Sequence, residues 1–320
     1  METCPSQSSQ EQPPKAQYRI TNWSDYNTAL VRRGSLTIWF NVEALEQWTH
    51  PTQTGKPGHP FEYGDMAIEC ALTLKAVYGL ALRQTQGFVA SLLELVNLPW
   101  EVPCYTTLCR RQKTLVVQLP RQKAGKALHL VVDATGLKVY GEGEWQVTTH
   151  GKTRRRVWRK IHLGIDEATG EIVACEVTDS GTRENEELPG LLDQVPDPLS
   201  QVSTDGAYDF MTCYDAIAEH EARAVIPPRS NAVIWDNGAM DARDANLRRI
   251  QAIGRKAWKV ESGYHRRSLV ETGIFRLKRI FGNLLSTRLL DHQRCDVRIR
   301  CAALNSMTAL GMPVSQKISA

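Results

Sequence analysis

Three acidic residues far apart in the chain stand in surroundings that suit phosphoryl chemistry. Asp133 lies in Val132-Asp133-Ala134-Thr135-Gly136, Asp205 in Thr204-Asp205-Gly206-Ala207-Tyr208, and Glu271 in a run rich in Lys and Arg. The first two each end a short β-rich run, Leu128 to Asp133 and Gln201 to Asp205, and strand ends are where α/β sheets present chemistry. A glycine follows each of them, Gly136 and Gly206, which lets the backbone turn. Glu271 falls in a helical stretch. Helix positions seven apart differ by only about 20°, so Tyr264, Glu271 and Lys278 share a face, with Arg267 one turn from Glu271. In-line attack on a phosphodiester can use two divalent cations about 3.5–4 Å apart, and Mg²⁺ takes carboxylate and water oxygens. Three carboxylates could clamp two such ions, with Asp133 as the bridge. Arg267 and Lys278 would then hold phosphates, and Tyr264 would stack on or bond an end nucleotide.

Each acid alone reads as a turn, cap or ion-pair residue; it is the combination that points to a site. Rival acids fit bland roles: Asp166 and Glu171 flank a hairpin turn, Asp209 reads as a helix N-cap, and Asp179 and Glu184 follow a strand. His162 reads as a packed or DNA-near histidine, and Trp158 as a residue packed on the sheet.

Charge points the same way. The chain's net +4 hides 15 Lys and Arg against 5 Asp and Glu between Arg243 and Arg300. Thr106 to Ala127 and Lys152 to Lys160 each add six basic residues, Arg110, Arg111, Arg159 and Lys160 among them. One basic run is a solvated face; three in a chain favour a polyanion, most simply nucleic acid. With 42% hydrophobic and 23% charged residues, 320 residues suit about two globular domains. No run of about 18 apolar residues is present, so no membrane span is expected. Met1 to Lys15 reads as neither signal peptide nor presequence. The eight Cys form no CxxC pair or Cys/His quartet, which fits small buried hydrophobes in a reducing compartment rather than disulfides or structural zinc.

The elements that must position these residues follow from periodicity. Residues 1–18 read as a disordered tail and 314–320 as a second one. Residues 19–125 are helical around a Pro/Gly-rich loop at Pro51 to Pro60, with helices expected at Gly64 to Tyr78, Leu82 to Leu95, and from Thr106 or Thr107 to about Leu119, with Leu108, Val116 and Leu119 inward. The last two, across the turn Asn97 to Pro103, fit either a helix-turn-helix or a bundle that touches no DNA. Residues 126–313 change texture. Three strands in a row, at Leu128 to Asp133, Arg156 to Asp166 and Ile172 to Thr178, precede a helix, a fourth strand ending at Asp205, a helix, a fifth strand at Arg223 to Ile226, and three more helices. The expectation is a mixed five-stranded α/β sheet flanked by helices.

The spacing Tyr264-x2-Arg267-x3-Glu271-x6-Lys278 resembles the Tyr-Arg-Glu-Lys signature of DDE transposases from bacterial insertion sequences, with the group numbered five the nearest likeness. The resemblance takes in the blocks around Asp133 and Asp205, Glu144-Trp145, His150-Gly151-Lys152, Trp158 to Leu163, and the helical run Leu82 to Arg111; Cys109 stands where Ser is commoner. It implies an RNase H-like catalytic fold behind an all-helical DNA-binding domain with a helix-turn-helix. It also implies metal binding by Asp133, Asp205 and Glu271 (two Mg²⁺, with Mn²⁺ able to substitute) and DNA contacts by Tyr264, Arg267 and Lys278. The implied partners are terminal inverted repeats and target DNA, in a homodimer that brings two ends together, inside a bacterial cytoplasm near the nucleoid. A transposase-derived DNA-binding protein that no longer cuts, and a stand-alone nuclease of the same fold, are the rival readings.

Overall fold

The computed structural model describes residues 18–40, 47–49, 62–122, 125–139, 158–234, 236 and 241–318. Residues 1–17 of the expected tail 1–18, the loop 51–60, the basic residues Lys152 and Arg154 to Arg156, and the blocks at 144–145 and 150–152 lie outside the described residues.

The fold is organised by one long strand, β2 (Leu128–Val139). Its neighbour β3 (Trp158–Asp166) runs antiparallel to it from Leu130↔Asp166 to Lys138↔Trp158. β4 (Ile172–Asp179) pairs antiparallel with β3 across a turn closed by Gly170 at φ +72°. Asp166 accepts from the Ala168 N–H and the Thr169 hydroxyl in that turn, the local role its sequence suggested. On the other edge, β5 (Leu199–Ser203) lies parallel to the first part of β2, and β6 (Arg223–Val225) lies parallel to β5. A two-residue strand, β7 (Leu284–Leu285), takes over that edge opposite Lys138 and Val139. The sheet therefore has six strands, not the expected five. Two residues carry no readable periodicity, which is why the sixth was missed. A further strand pair joins β1 (Tyr18–Ile20) to β8 (Ser315–Lys317), so the expected C-terminal tail pairs with Tyr18, the last residue of the expected N-terminal tail, and with the two residues after it.

Alternation along β2 sorts its side chains between two cores. Leu128, Leu130 and Val132 face α6 (Glu184–Leu192) and α7 (Met211–Glu219). Val131 and Leu137 face the opposite side, with Ile161, Leu163 and Ile165 of β3. That side is covered by α10 (Ser268–Phe281) and α11 (Leu290–Ala309). Between them in sequence, α8 (Asp241–Ile253) and α9 (Arg255–Glu261) lead into a 3₁₀ turn at Tyr264–Arg267.

Before the sheet come α1 (Trp23–Arg32), α2 (Leu36–Trp39), α3 (Asp65–Tyr78), α4 (Leu82–Leu95) and α5 (Tyr105–Arg111). α3 ends on Gly79 in the left-handed region (φ 65°), a conformation that a side chain would strain. α11 lies between the helical layer and the sheet. Cys295, Ile299, Ala302 and Met307 pack among the N-terminal helices, and Val297, Cys301 and Leu304 pack on the sheet. α11 is thus buried on two faces, with Asp291, Arg294 and Ala309 left exposed.

Four expectations need correction here. The third N-terminal helix stops at Arg111 rather than near Leu119. Beyond it the chain is extended: Leu115 and Val117 are buried, while Val116, expected inward, is 71% exposed. The period in Leu115 to Leu119 is two, not 3.6. Asp133 also does not end its strand, which continues six residues to Val139. Gly136 makes no turn; it lets the Trp158 ring approach, with a Cβ there falling 3.2 Å from Trp158 Cε3. Gly206 does sit in a turn, the 3₁₀ segment Gly206–Tyr208.

Candidate active site

Asp133 and Asp205 meet through strand register. The β2–β5 ladder ends at Val131↔Ser203, and each acid lies two residues further along its own strand direction. Alternation turns both toward the α10 side, the face of Val131 and Ser203. β5 stops at Ser203 and β7 begins only opposite Lys138, which leaves the edge of β2 open around Asp133. Asp133 Oδ1 accepts the Ala134 N–H at 2.8 Å and Asp205 Oδ1 accepts the Ala207 N–H at 2.8 Å, so a backbone N–H holds one oxygen of each carboxylate.

The third acid arrives on α10. Its N-terminus follows the 3₁₀ turn, so Tyr264 and Arg267 stand just ahead of the helix and not within it, as the seven-residue spacing had suggested. Arg267 Nη1 donates to Asp133 Oδ2 at 2.9 Å, and its Nη2 to Glu271 Oε1 at 2.6 Å. One guanidinium thus joins two of the three acids. Two turns along α10, Lys278 Nζ donates to Thr135 Oγ1 at 2.6 Å, on the same face of β2 as Asp133. The Tyr264 ring rests against Trp258 with centroids 5.9 Å apart, between Lys259 Nζ at 5.1 Å and Arg267 Cζ at 6.0 Å. All six residues of the expected constellation, from distant parts of the chain, line one patch.

The electrostatics are those of partly buried charge. Burial pushes the Asp133 carboxyl up, the Ala134 N–H and Arg267 oppose it, and the Asp205 charge reinforces it. Burial lowers Arg267, but Tyr264, Asp133, Glu271 and Asp205 outweigh this and leave it raised. Burial alone holds Lys278 below its ordinary value. Behind the acids, Tyr208 is fully buried and its hydroxyl has no partner among the described residues. Burial raises that phenol, and the charges of Glu184, Asp133 and Asp205 raise it further. The sequence signal for Tyr208 was its place three residues after Asp205, but nothing distinguished it from a core tyrosine.

Among the described residues no three His, Cys, Asp or Glu side chains are arranged to hold a metal ion, and the Arg267 guanidinium bridges Asp133 and Glu271. The donor set nonetheless suits a hard divalent cation: three carboxylates with oxygens left over, in a pocket that already accommodates positive charge between two of them.

The remaining predicted residues divide. Arg110 is exposed at the end of α5. Arg111 must be corrected: it is buried, pairs with Asp65 and donates to the Tyr63 carbonyl at 2.9 Å, so it holds α5 onto α3 and does not face solvent. Arg159 is tied to Asp179 and to Gln293 Oε1, and Lys160 to the Thr182 carbonyl and Glu184. His162 is fully buried, with Nε2 2.9 Å from Thr178 Oγ1. Asp209 is not an N-cap; it accepts from Arg243 Nε at 3.1 Å and from the Arg229 N–H, and so ties the turn after Tyr208 to α8. Of the cysteines, Cys70, Cys175, Cys213, Cys295 and Cys301 are buried as expected, whereas Cys104 is exposed and Cys109 half-buried.

No helix among the described residues is long and apolar enough to cross a membrane. Two family models match the chain, both described as transposase DDE domain. One covers residues 31–142 and the other residues 124–306, more than half of the chain.

Proposed function

Because the chain belongs to the transposase DDE domain family, we propose that it cleaves DNA at the ends of its own insertion sequence and joins the freed 3′-OH to target DNA. The observation that carries this reading is the meeting of Asp133, Asp205, Arg267 and Glu271 at the open edge of β2. Family members depend on divalent metal. In this proposal Asp133, Asp205 and Glu271 hold two Mg²⁺ ions, or Mn²⁺ in their place. Bound there, the ions would activate the attacking oxygen and neutralise charge on the leaving one. The chain's own groups do the rest. Ala134 and Ala207 N–H groups fix one oxygen of each aspartate and leave the other turned to the site. Arg267 and Lys278 present positive charge to a phosphate beside the scissile one. Tyr264, tilted against Trp258, offers a ring edge and hydroxyl to an end nucleotide.

DNA reaches this patch through the helical layer, with α4, the turn 96–104 and α5 as the helix-turn-helix and Arg110 as its exposed cation. Two copies of the chain bring two ends together. The test is a joining assay: the full chain, Mg²⁺, a labelled duplex carrying the terminal repeats, and a supercoiled target. Labelled target with the 3′ strand attached supports the reading. Tight binding without any cut product supports a DNA-binding derivative, and cut but unjoined product supports a nuclease.

A further inference from the structure

Two cysteines that the proposed reaction does not use face each other under the sheet. Cys175 on β4 and Cys301 on α11 are 1% and 0% exposed and pack among Val177, Val297 and Leu304. α11 runs along β4 in the opposite sense and is tied to it on both sides of the pair. Beyond one side, Asn305 bonds both the N–H and the carbonyl of Ile172, each at 2.8 Å. Beyond the other, Arg294 Nε donates to Glu176 Oε1 at 2.8 Å. Arg298 Nη1 also donates to Gln194 Oε1 at 3.4 Å, the oxygen that accepts the Cys175 N–H at 3.1 Å. Between these ties the Cys301 thiol donates to Cys175 Sγ. Cys70 and Cys213 instead donate to the Trp39 and Asn185 carbonyls, each at 3.5 Å.

A buried cysteine commonly acts as a small hydrophobe. Two sulfurs already in contact also meet the first condition for a disulfide, a bond of ~2.05 Å that needs side chains aimed at each other. The hydrogen bond from Cys301, with the Arg298 charge behind it, holds the Cys175 thiol below its ordinary range against burial. The same bond, with burial, holds Cys301 above it. Cys175 is therefore the attacking sulfur. Its thiolate takes one oxygen of hydrogen peroxide; the O–O bond breaks and leaves a sulfenic acid and hydroxide. The Cys301 sulfur then displaces hydroxide from the sulfenic sulfur and forms the S–S bond. The two thiol protons turn both hydroxides into water, and two electrons pass from the sulfurs to the peroxide. Peroxide is close to water in size, and brief local openings of the folded chain admit it. The bond closes a long loop that contains Asp205, Arg267 and Glu271, and long loops are where a cross-link constrains the unfolded chain most.

We propose that Cys175 and Cys301 form a redox site, which hydrogen peroxide closes into a reversible disulfide between β4 and α11 that holds residues 175–301 against unfolding. Neither DNA nor metal enters its test. The full reduced chain is treated with hydrogen peroxide at pH 7, quenched with catalase, alkylated in denaturant and digested with trypsin. Cys175 falls in the peptide Ile161–Arg183 and Cys301 in the peptide Cys301–Lys317. These two are expected to be recovered joined, two hydrogens lighter than their sum, and to separate in dithiothreitol. The oxidised chain is expected to unfold at a urea concentration higher by roughly 1 M, a shift that dithiothreitol reverses. Cys175→Ala and Cys301→Ala keep a small apolar side chain. Each should lose the link and the shift, read against its own reduced form. The wild-type peptide map decides the link even where a variant fails to fold. Exposed Cys104, bonded to the Thr106 and Thr107 hydroxyls, is the internal competitor. Oxidation of Cys104 with Cys175 and Cys301 both recovered alkylated overturns the proposal, as does a link that forms only when peroxide is added in urea. A link that leaves the urea midpoint unmoved overturns the stabilising role.

Discussion

Arg267 carries more of the site than any other single side chain. Its two outer nitrogens reach Asp133 and Glu271 from one rigid plane. An ammonium on a flexible stem cannot reproduce that span. Arg267→Lys is therefore expected to slow single-turnover nicking by roughly 10- to 100-fold while DNA affinity changes much less, a contrast that gel shifts and rapid-quench kinetics resolve. His162 makes a different prediction. Burial, helped by Lys160, lowers it from its ordinary 6.5 to about 4. The unfolded chain thus takes up a proton below pH 6.5 that the folded chain refuses until about pH 4. Stability should fall across that window by up to about 3 kcal/mol, and His162→Gln should remove that part of the fall in urea titrations at pH 7 and pH 4.5. The grouping of acidic and basic side chains around Asp133 and Glu271 was legible early because their types and gaps are distinctive. The direction of Arg111 was not, since a basic residue at the end of a basic helix reads as a solvent-facing contact until Asp65 and the Tyr63 carbonyl are seen to hold it.

Elements set the distances between these groups, and α10 is the one with least freedom. Its Gly273 lies against the sheet, where a Cβ would run into Ile165 Cδ1. Ile165 is fully buried in the packed core, so accommodation means forcing its δ-methyl into another rotamer against packed neighbours or lifting the helix. Gly273→Ala is expected to cost about 1–3 kcal/mol in chemical denaturation. It should also reduce nicking beyond that loss, because Glu271 sits two residues away on the same helix. Long periodic helices such as Asp65–Tyr78 and Leu82–Leu95 were readable nearly to the residue. Two features were not. The extension of β2 past Asp133 depends on its partners β3 and β7, which supply the ladder from outside the segment. The early end of α5 depends on Leu115 and Val117 finding the N-terminal core in an extended chain.

At the scale of the molecule, α11 makes the helical layer and the sheet share their packing. The Lys75–Asp296–Arg300 cluster lies across that junction, with all three side chains nearly inaccessible. Removing the single acid leaves two buried cations without their partner. Asp296→Ala is expected to lower stability by roughly 3–5 kcal/mol, read as a shift of the urea midpoint. The change of texture in the sequence suggested a division near residue 125; the α11 contacts that pack across that point were not readable, because they join segments more than 200 residues apart. The account as a whole depends on Asp133, Asp205 and Glu271 working as one unit at the edge of β2. Its most direct test is Mg²⁺-dependent nicking of a cognate-end duplex by Asp133→Asn, Asp205→Asn and Glu271→Gln, each shown by gel shift to bind that duplex as wild type does. All three are predicted to lose at least a thousandfold in rate; near-normal nicking by any one of them would contradict the assignment.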